Sequence, residues 1–197
     1  MSDVFVADLD QVRGLFGEDG LAAMIDGFVC PLNVKVEDYI KTKARQSMRL
    51  GSSVTYLAID RKTAECVGYF TLVLKPFKVA AAGLSSSSRR MISRFTELDD
   101  DGKTYTAALY LIAQIGKNYA LPKEGRISGG ELIQKAFAIL RAAQKLVGGK
   151  MVLVDRELDR PKLLDFYKEN NFRSWNTRHS KKDGVDYDQM ICVLKSA

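Results

Sequence analysis

The chain has 197 residues, of which 46% are hydrophobic and 27% are charged, and its formal net charge is +6. This composition is ordinary for a globular protein and allows one domain with a full hydrophobic core. No apolar run approaches the roughly 18 residues needed to cross a bilayer. The first ten residues carry aspartates and no basic residue, unlike a secretion signal, so we expect a cytoplasmic protein with no membrane partner.

Cysteine and histidine are too scarce to form a common metal site. The three cysteines, Cys30, Cys66 and Cys192, are far apart and odd in number, which favours reduced thiols over a disulfide framework. His179 is the only histidine, and no cysteine pair has the spacing of a zinc site. The sequence therefore predicts no metal cofactor.

The first half of the chain predicts a helix followed by a β-hairpin. Apolar residues recur at helical spacing over 36–50, and Gly51 follows where a glycine is expected to end a helix. Two β-rich runs, 54–60 and 66–74, are joined by a short polar connection. This arrangement is typical of two antiparallel strands.

Residues 75–104 are predicted to form a basic and polar insertion. Five cations lie between Lys75 and Thr96 with no acidic residue among them: Lys75, Lys78, Arg89, Arg90 and Arg94. Three aspartates and a glycine then close the segment with a strong turn signal at 99–102. The basic stretch is typical either of a solvated loop with a short helix or of a surface that binds phosphate groups.

The second half predicts a strand, a long helix and three shorter elements. The apolar run 105–115 indicates a strand buried on both faces, and a loop follows over 116–126. One broad apolar stripe indicates a helix over 129–147, and a strand is expected at 151–154. This strand–helix–strand unit implies a parallel pair with a right-handed crossover. A short helix at 161–169 and a strand at 187–194 complete a mixed sheet with helices on its faces.

The loop at 116–126 and the helix start that follows it are suited to binding phosphate. The first amides of a helix lack internal partners and lie at the positive end of the helix dipole. Gly129 and Gly130 have no side chains that would block a diphosphate, and Arg126 adds a positive charge. The alternative is a well-capped helix, because Ser128 and Glu131 form a capping-box pattern that would satisfy the same amides.

Residues 112–172 resemble motifs of the GNAT acyltransferase superfamily. The diphosphate loop of that family reads Gln or Arg, two residues, Gly, one residue, then Gly or Ala. Residues 126–131 read Arg-Ile-Ser-Gly-Gly-Glu, so Glu131 departs from the last position. The family also has a short helix with a tyrosine, followed by Gly-Phe. This chain has Tyr167, then Asn171 before Phe172, and Arg160 stands where Asn is frequent, seven residues before the tyrosine.

The resemblance implies one GNAT-like α/β domain over 1–197. Its mixed, mostly antiparallel central sheet would be flanked by helices and contain a splayed parallel strand pair. It also implies an N-acetyltransferase that uses acetyl-CoA as cosubstrate and transfers the acetyl group directly to a primary amine. Tyr167 would protonate the departing CoA thiolate. The residues implied to bind the pantetheine arm and the diphosphate are Ile115, Gly116, Lys117, Arg126, Ile127, Ser128, Gly129, Gly130 and Glu131.

The acceptor amine is not identified by the sequence. It is either a small molecule or a macromolecule, and a homodimer is one alternative for the assembly. A less favoured alternative is an RNA-directed enzyme similar to toxins that acetylate aminoacyl-tRNA, in which the 75–94 stretch would bind RNA. A third is a non-catalytic acyl-CoA-binding regulatory domain. The attacking amine must lose a proton, and the candidate general bases are Asp155, Glu157 and Glu131. We favour the interpretation of Asp155 and Glu157 as solvated loop carboxylates and of Glu131 as a cap, so no general base is assigned.

Overall fold

The structure is a computed structural model that describes residues 3–181 and 184–195. These residues divide into two compact units. Unit 1 comprises the chain up to Val73 together with Ile112–Ala138. Unit 2 comprises Leu74–Leu111 and the chain from Ile139 onward. The expectation of one domain over 1–197 with an insertion at 75–104 stays a prediction.

The described residues form a mixed, mostly antiparallel sheet flanked by helices, which confirms the predicted fold class. The strands are β1 (Val4–Asp8), β2 (Val54–Asp60), β3 (Cys66–Ala80), β4 (Thr104–Lys117), β5 (Met151–Glu157), β6 (Arg173–Ser180) and β7 (Val185–Val193). The helices are α1 (Leu9–Asp26), α2 (Val34–Thr42), α3 (Ala44–Arg49), α4 (Ser86–Ile92), α5 (Gly129–Val147) and α6 (Pro161–Glu169). The strand order is β1-β2-β3-β4-β5-β7-β6. The predicted parallel pair is β4 with β5, where Tyr110 lies opposite Val152.

Unit 1 begins with two elements that the sequence patterns did not predict, β1 and α1. Asp8 caps α1 by accepting the N–H of Gln11 at 2.8 Å, and the Gln11 side chain accepts the N–H of Asp8 at 3.0 Å. Gly17 has a φ of 76° and interrupts the helical backbone within α1. Because the two segments on either side do not share one helical period, no continuous apolar stripe marks this helix.

The single helix predicted over 36–50 is wrong, because the structure has two helices, α2 and α3. They meet at Lys43, whose φ of −124° and ψ of −29° are not helical. The hydroxyl of Thr42 donates to the carbonyl of Asp38 at 2.6 Å, a side-chain bond of the kind that bends helices. Gly51 has a φ of 67° just after α3, in agreement with the expected helix-ending glycine.

The core of unit 1 is formed by the apolar faces of its helices and strands. Its buried members include Val12, Leu21, Ile25, Phe28, Val36, Ile40, Leu57, Ile59 and Tyr69. The aromatic rings of Phe28 and Tyr69 meet edge to face at 5.0 Å between centroids. The Tyr69 hydroxyl donates to the carbonyl of Val36, so this buried phenol is paired and joins β3 to α2.

Three strands that lie wholly or partly in unit 2, β3, β5 and β6, differ from the sequence predictions. β3 extends to Ala80, six residues beyond the predicted end, and α4 lies within the predicted insertion. β5 extends to Glu157 rather than ending at 154. β6 was not predicted, because this edge strand exposes most of its polar side chains and shows no apolar alternation. The core of unit 2 includes Val79, Leu84, Met91, Ile92, Leu109, Leu153, Trp175 and Ile191.

Candidate functional site

The predicted cofactor-binding residues all lie in unit 1, and Tyr167 lies in unit 2. Within unit 1, positions 115–117 end β4, positions 126–128 form the loop that leads to α5, and positions 129–131 begin α5. Ile127 is buried, with 3% of its surface exposed, and anchors the loop where it enters the helix. The structure therefore places the predicted strand end and helix start within one compact unit.

The end of β4 approaches α2 so closely that position 116 requires glycine. A Cβ at Gly116 would lie 2.5 Å from Cγ1 of Val36, closer than carbon atoms can pack. The flanking residues Ile115 and Lys117 are half-buried on the same strand. The absence of a side chain at Gly116 thus allows the end of β4 to lie close to α2. The pairing of Ile115 and Lys117 with a pantetheine arm stays a prediction.

Asn118 connects the end of β4 to two other segments of unit 1. Its Oδ1 accepts the N–H of Val29 at 3.1 Å and that of Ala120 at 3.0 Å, while its Nδ2 donates to the Cys66 carbonyl at 2.9 Å. Its own N–H donates to the Val67 carbonyl at 2.9 Å. Because Asn118 is 5% exposed, these buried groups depend on it for their hydrogen bonds. The sequence analysis did not select it, since its partners are remote along the chain.

Replacing Asn118 with alanine is expected to destabilise the fold by about 3 kcal/mol. The substitution leaves the N–H of Val29 and the carbonyl of Cys66 without this partner, and a buried unpaired group costs roughly 1–3 kcal/mol. Urea unfolding measures the change in the free energy of unfolding. The matched control is Asn176→Ala, which removes one half-buried side-chain bond to Gln189 and should cost about 1 kcal/mol or less. Equal losses for the two variants would contradict the role of Asn118.

Arg126 folds back onto the loop between β4 and α5. Its Nε donates to the carbonyl of Leu121 at 2.8 Å, and its Nη2 donates to the carbonyl of Tyr119 at 3.0 Å. The guanidinium carbon also lies 4.9 Å from the centre of the Tyr119 ring. Arg126 thus holds its own loop in shape while it keeps a permanent positive charge. Its contact with a diphosphate stays a prediction.

The first turn of α5 presents backbone amides that the protein does not use. Ser128 Oγ accepts the N–H of Glu131 at 3.0 Å, and the Ser128 carbonyl accepts the N–H of Leu132 at 3.0 Å. Among the described residues, the N–H groups of Gly129 and Gly130 have no acceptor. A Cβ on Gly130 would meet nothing within 4 Å, so this side of the helix start is open. Ser128 therefore caps one amide and leaves two for an anion.

Tyr167 occupies a buried position on α6 in unit 2. It is 6% exposed, and its ring packs edge to face against Phe172 at 5.5 Å between centroids. Its hydroxyl has no hydrogen-bond partner among the residues that the structure describes. Burial raises the pKa of Tyr167 to about 12, and the negative charge of Asp155 adds to this shift. The phenol is therefore protonated at neutral pH, as a proton donor must be.

The turn after α6 has a backbone conformation that glycine and asparagine adopt more readily than other residues. Asn171, which replaces the usual glycine, adopts a left-handed φ of 67°. The N–H of Phe172 donates to the carbonyl of Tyr167 at 2.9 Å, which closes the helix end. Asparagine thus supplies the required turn, and Phe172 is brought against the tyrosine ring.

The interpretation of Asp155 and Glu157 as solvated loop carboxylates is wrong. Both residues lie in β5, which is longer than predicted. Asp155 accepts from Arg178 at 2.8 Å and from Gln189 at 3.1 Å. Glu157 is paired with Arg160 at 2.6 Å between Oε2 and Nε. Both carboxylates are thus committed to cations of unit 2, and neither is assigned as a general base.

A buried ion pair holds the segment between β5 and α6. Arg156 and Asp188 are each 5% exposed, and Nη2 of Arg156 lies 3.0 Å from Oδ2 of Asp188. Nη1 of Arg156 donates to the carbonyl of Glu157 at 3.1 Å, and Ser174 donates its hydroxyl proton to Asp188 at 2.8 Å. Arg156 therefore joins the end of β5 to the start of the connection that leads to α6.

Replacing Arg156 with methionine is expected to destabilise the protein by about 3–5 kcal/mol, because Asp188 would stay buried without its cation. Thermal and urea unfolding report this loss. The double variant Arg156→Met with Asp188→Leu removes both charges and should recover most of the lost stability. A single variant that is as stable as the wild type would contradict the importance of this pair.

The mixed, mostly antiparallel sheet and its flanking helices match a GNAT-like fold, and solved structures of bacterial toxins share this fold. One bacterial toxin has a TM-score of 0.66 and 14% sequence identity, over 98% of this chain and 92% of that chain. A tyrosine-to-phenylalanine mutant of the AtaT toxin has a TM-score of 0.62 and 16% identity, over 95% and 89% of the two chains. The chain thus has a GNAT fold, as the sequence motifs predicted.

AtaT complexed with acetyl-methionyl-tRNAfMet matches with a TM-score of 0.61 and 16% identity, over 94% of each chain. AtaT has also been solved in the AtaTR complex bound with acetyl-CoA. Neither a family model nor a curated protein sequence matches this chain. The structural likeness therefore establishes the fold, and the ligands named here belong to AtaT.

In the part of the chain that the structure describes, no helix is long and apolar enough to cross a membrane. No group of three or more histidine, cysteine, aspartate or glutamate side chains is arranged there to hold a metal ion.

Proposed function

We propose that this protein is an acetyl-CoA-dependent N-acetyltransferase whose acceptor is the amino group of an aminoacyl-tRNA. The observation that carries the cofactor assignment is the open first turn of α5. Two unpaired amides at Gly129 and Gly130, at the positive end of a 19-residue helix, suit the diphosphate of CoA. The space beside Gly130 admits a phosphate where a side chain would stand.

The acceptor is proposed from the structural neighbours. AtaT has this fold and was solved with acetyl-methionyl-tRNAfMet, the product expected when an acetyl group is added to methionyl-tRNA. The likeness supports this macromolecular acceptor over the broader class of small amines. It supports acetyl-CoA as cosubstrate in the same way, because AtaT was also solved with that molecule.

The proposed reaction is direct acetyl transfer. The neutral amine nitrogen forms a bond to the acetyl carbonyl carbon, and the carbon–sulfur bond of the thioester breaks. The nitrogen loses one proton, and the departing thiolate gains one, so the reaction is balanced. We propose that Tyr167 donates the proton to sulfur, since its phenol is protonated and has no partner among the described residues. Backbone groups of Ile115 and Lys117 are proposed to pair with the pantetheine arm.

The test is transfer of radiolabelled acetyl groups to a panel of aminoacyl-tRNAs, with release of free CoA thiol measured in parallel. Label should enter tRNAs that carry a free α-amino group. It should not enter uncharged tRNA or tRNA whose aminoacyl group is already acetylated. Transfer to polyamines or aminoglycosides instead of tRNA would contradict the proposed acceptor, whereas the assignment as an acetyltransferase would stand. Calorimetry that shows no binding of acetyl-CoA would contradict the enzyme class itself.

A further inference from the structure

The net positive charge of the protein falls on one of its two units. Basic and acidic side chains are equal in number in unit 1, so the formal net charge of +6 falls on unit 2. Such an imbalance attracts polyanions to the unit that carries it. Within unit 2, the cations that have no acidic partner are then the ones available to bind a polyanion.

Helix α4 presents a fixed surface made of arginine and serine. Met91 and Ile92 are buried in the core of unit 2, and Ser85 caps the helix by accepting the N–H of Ser88 at 3.2 Å. The exposed residues on the other side are Ser86, Ser87, Arg89, Arg90, Ser93 and Arg94, which we call the arginine face. Because its buried side is anchored, the helix backbone keeps these residues on the exposed side.

The cations of the arginine face are not used within the protein. Arg89, Arg90 and Arg94 make no ion pair or side-chain hydrogen bond with any described residue. Two other arginines of unit 2 differ in this respect, since Arg156 is paired with Asp188 and Arg178 with Asp155. An unneutralised cluster of guanidinium groups next to serine hydroxyls is suited to phosphate oxygens, which guanidinium binds in a bidentate manner.

We propose that the arginine face of α4 binds the phosphate backbone of the tRNA acceptor. The identity of the RNA rests on the proposed function, whereas the binding surface is inferred from its own charge and exposure. A membrane is a poorer fit, because no exposed residue from Ser86 to Arg94 is large and apolar. No exposed residue in that range is aromatic either, so we propose a contact with the backbone that is independent of base sequence.

The test compares the wild type with the triple variant Arg89→Gln, Arg90→Gln, Arg94→Gln. Binding of uncharged tRNA is followed by fluorescence anisotropy at several salt concentrations. Loss of three phosphate contacts should lower the affinity on the order of 100-fold near 0.1 M salt and reduce the slope of log affinity against log salt by roughly 2–3. The matched control removes three exposed cations elsewhere, with Lys62→Gln, Lys145→Gln and Lys195→Gln, and should change affinity by less than about threefold.

A second measurement separates this inference from the proposed function. Acetyl transfer to an aminoacyl-adenosine, which has no phosphate backbone, should be equal in the triple variant and the wild type. If the wild type acetylates aminoacyl-tRNA and the triple variant binds tRNA with unchanged affinity and slope, the arginine face is excluded and the proposed function stands. If the wild type acetylates neither substrate, the proposed function fails, and the tRNA-binding comparison still decides the role of α4. Wild-type binding to phosphatidylserine vesicles but not to tRNA would overturn the RNA assignment.

Discussion

Replacing Gly130 with aspartate is expected to weaken acetyl-CoA binding by roughly 100-fold or more, because it removes about two charge-assisted hydrogen bonds at about 1.5–3 kcal/mol each. The carboxylate would occupy the open space at the start of α5 and repel the diphosphate. The fold should not suffer. An acidic residue in the first turn of a helix adds about 0.3–1 kcal/mol, and any residue is favoured over glycine within a helix. Titration calorimetry measures the loss of acetyl-CoA affinity, and thermal unfolding measures the expected small gain in stability.

The control for this variant is Gly130→Asn. Asparagine has nearly the shape of aspartate and also fits the open space, but it carries no charge. We expect it to bind acetyl-CoA about tenfold more weakly than the wild type, between glycine and aspartate. If the aspartate variant binds acetyl-CoA as tightly as the wild type, the amides of Gly129 and Gly130 do not hold the diphosphate.

Replacing Tyr167 with phenylalanine is expected to lower kcat for acetyl transfer by about 10²–10⁴-fold, the usual contribution of a general acid. The ring and its packing against Phe172 are retained, and the hydroxyl has no hydrogen-bond partner among the described residues. The free energy of unfolding should therefore change by less than about 0.5 kcal/mol. Steady-state kinetics measure kcat, and urea unfolding measures the free energy of unfolding. Titration with acetyl-CoA should give the same dissociation constant as for the wild type.

The pH dependence of the wild type provides an independent check on Tyr167. Its pKa is raised to about 12 by burial, with a further contribution from Asp155. An acid with that pKa keeps its proton until the pH nears 12, so activity should rise as the amine loses its proton and should show no decline from tyrosine ionisation below about pH 11. A phenylalanine variant with wild-type kcat would show that sulfur receives its proton from another donor.

Local sequence patterns were sufficient to predict α5, α6 and the parallel strand pair. The predicted helix over 129–147 and the short helix over 161–169 agree with α5 and α6 in the structure. Each is marked by signals that act within a few residues, namely an apolar stripe, Ser128 before the first turn, and Pro161 at the start of α6. The parallel pairing of β4 with β5 followed, because a strand–helix–strand unit has one common crossover.

Local patterns failed where a signal was interrupted or where an element faces water. α1 was missed because Gly17 breaks its helical period, and one helix was predicted where Lys43 separates α2 from α3. β6 was missed because an edge strand with polar side chains shows no alternation. β6 is stabilised by its pairing with β7, which the pattern of its own residues does not reveal.

The sequence by itself determined a mixed sheet with helices and a helix start suited to phosphate, because glycines, caps and apolar periods act over a few neighbouring residues. The GNAT-like fold followed from the resemblance of residues 112–172 to motifs of that family. Only the tertiary structure decided how the polar groups are paired. It gave Asn118 its partners on Val29 and Cys66, directed Arg126 onto its own loop, and engaged Asp155 with Arg178. It also left Tyr167 buried and the arginines of α4 unpaired. Hydrogen bonds and charge pairs reach only a few ångströms, so their partners depend on which distant segments become neighbours.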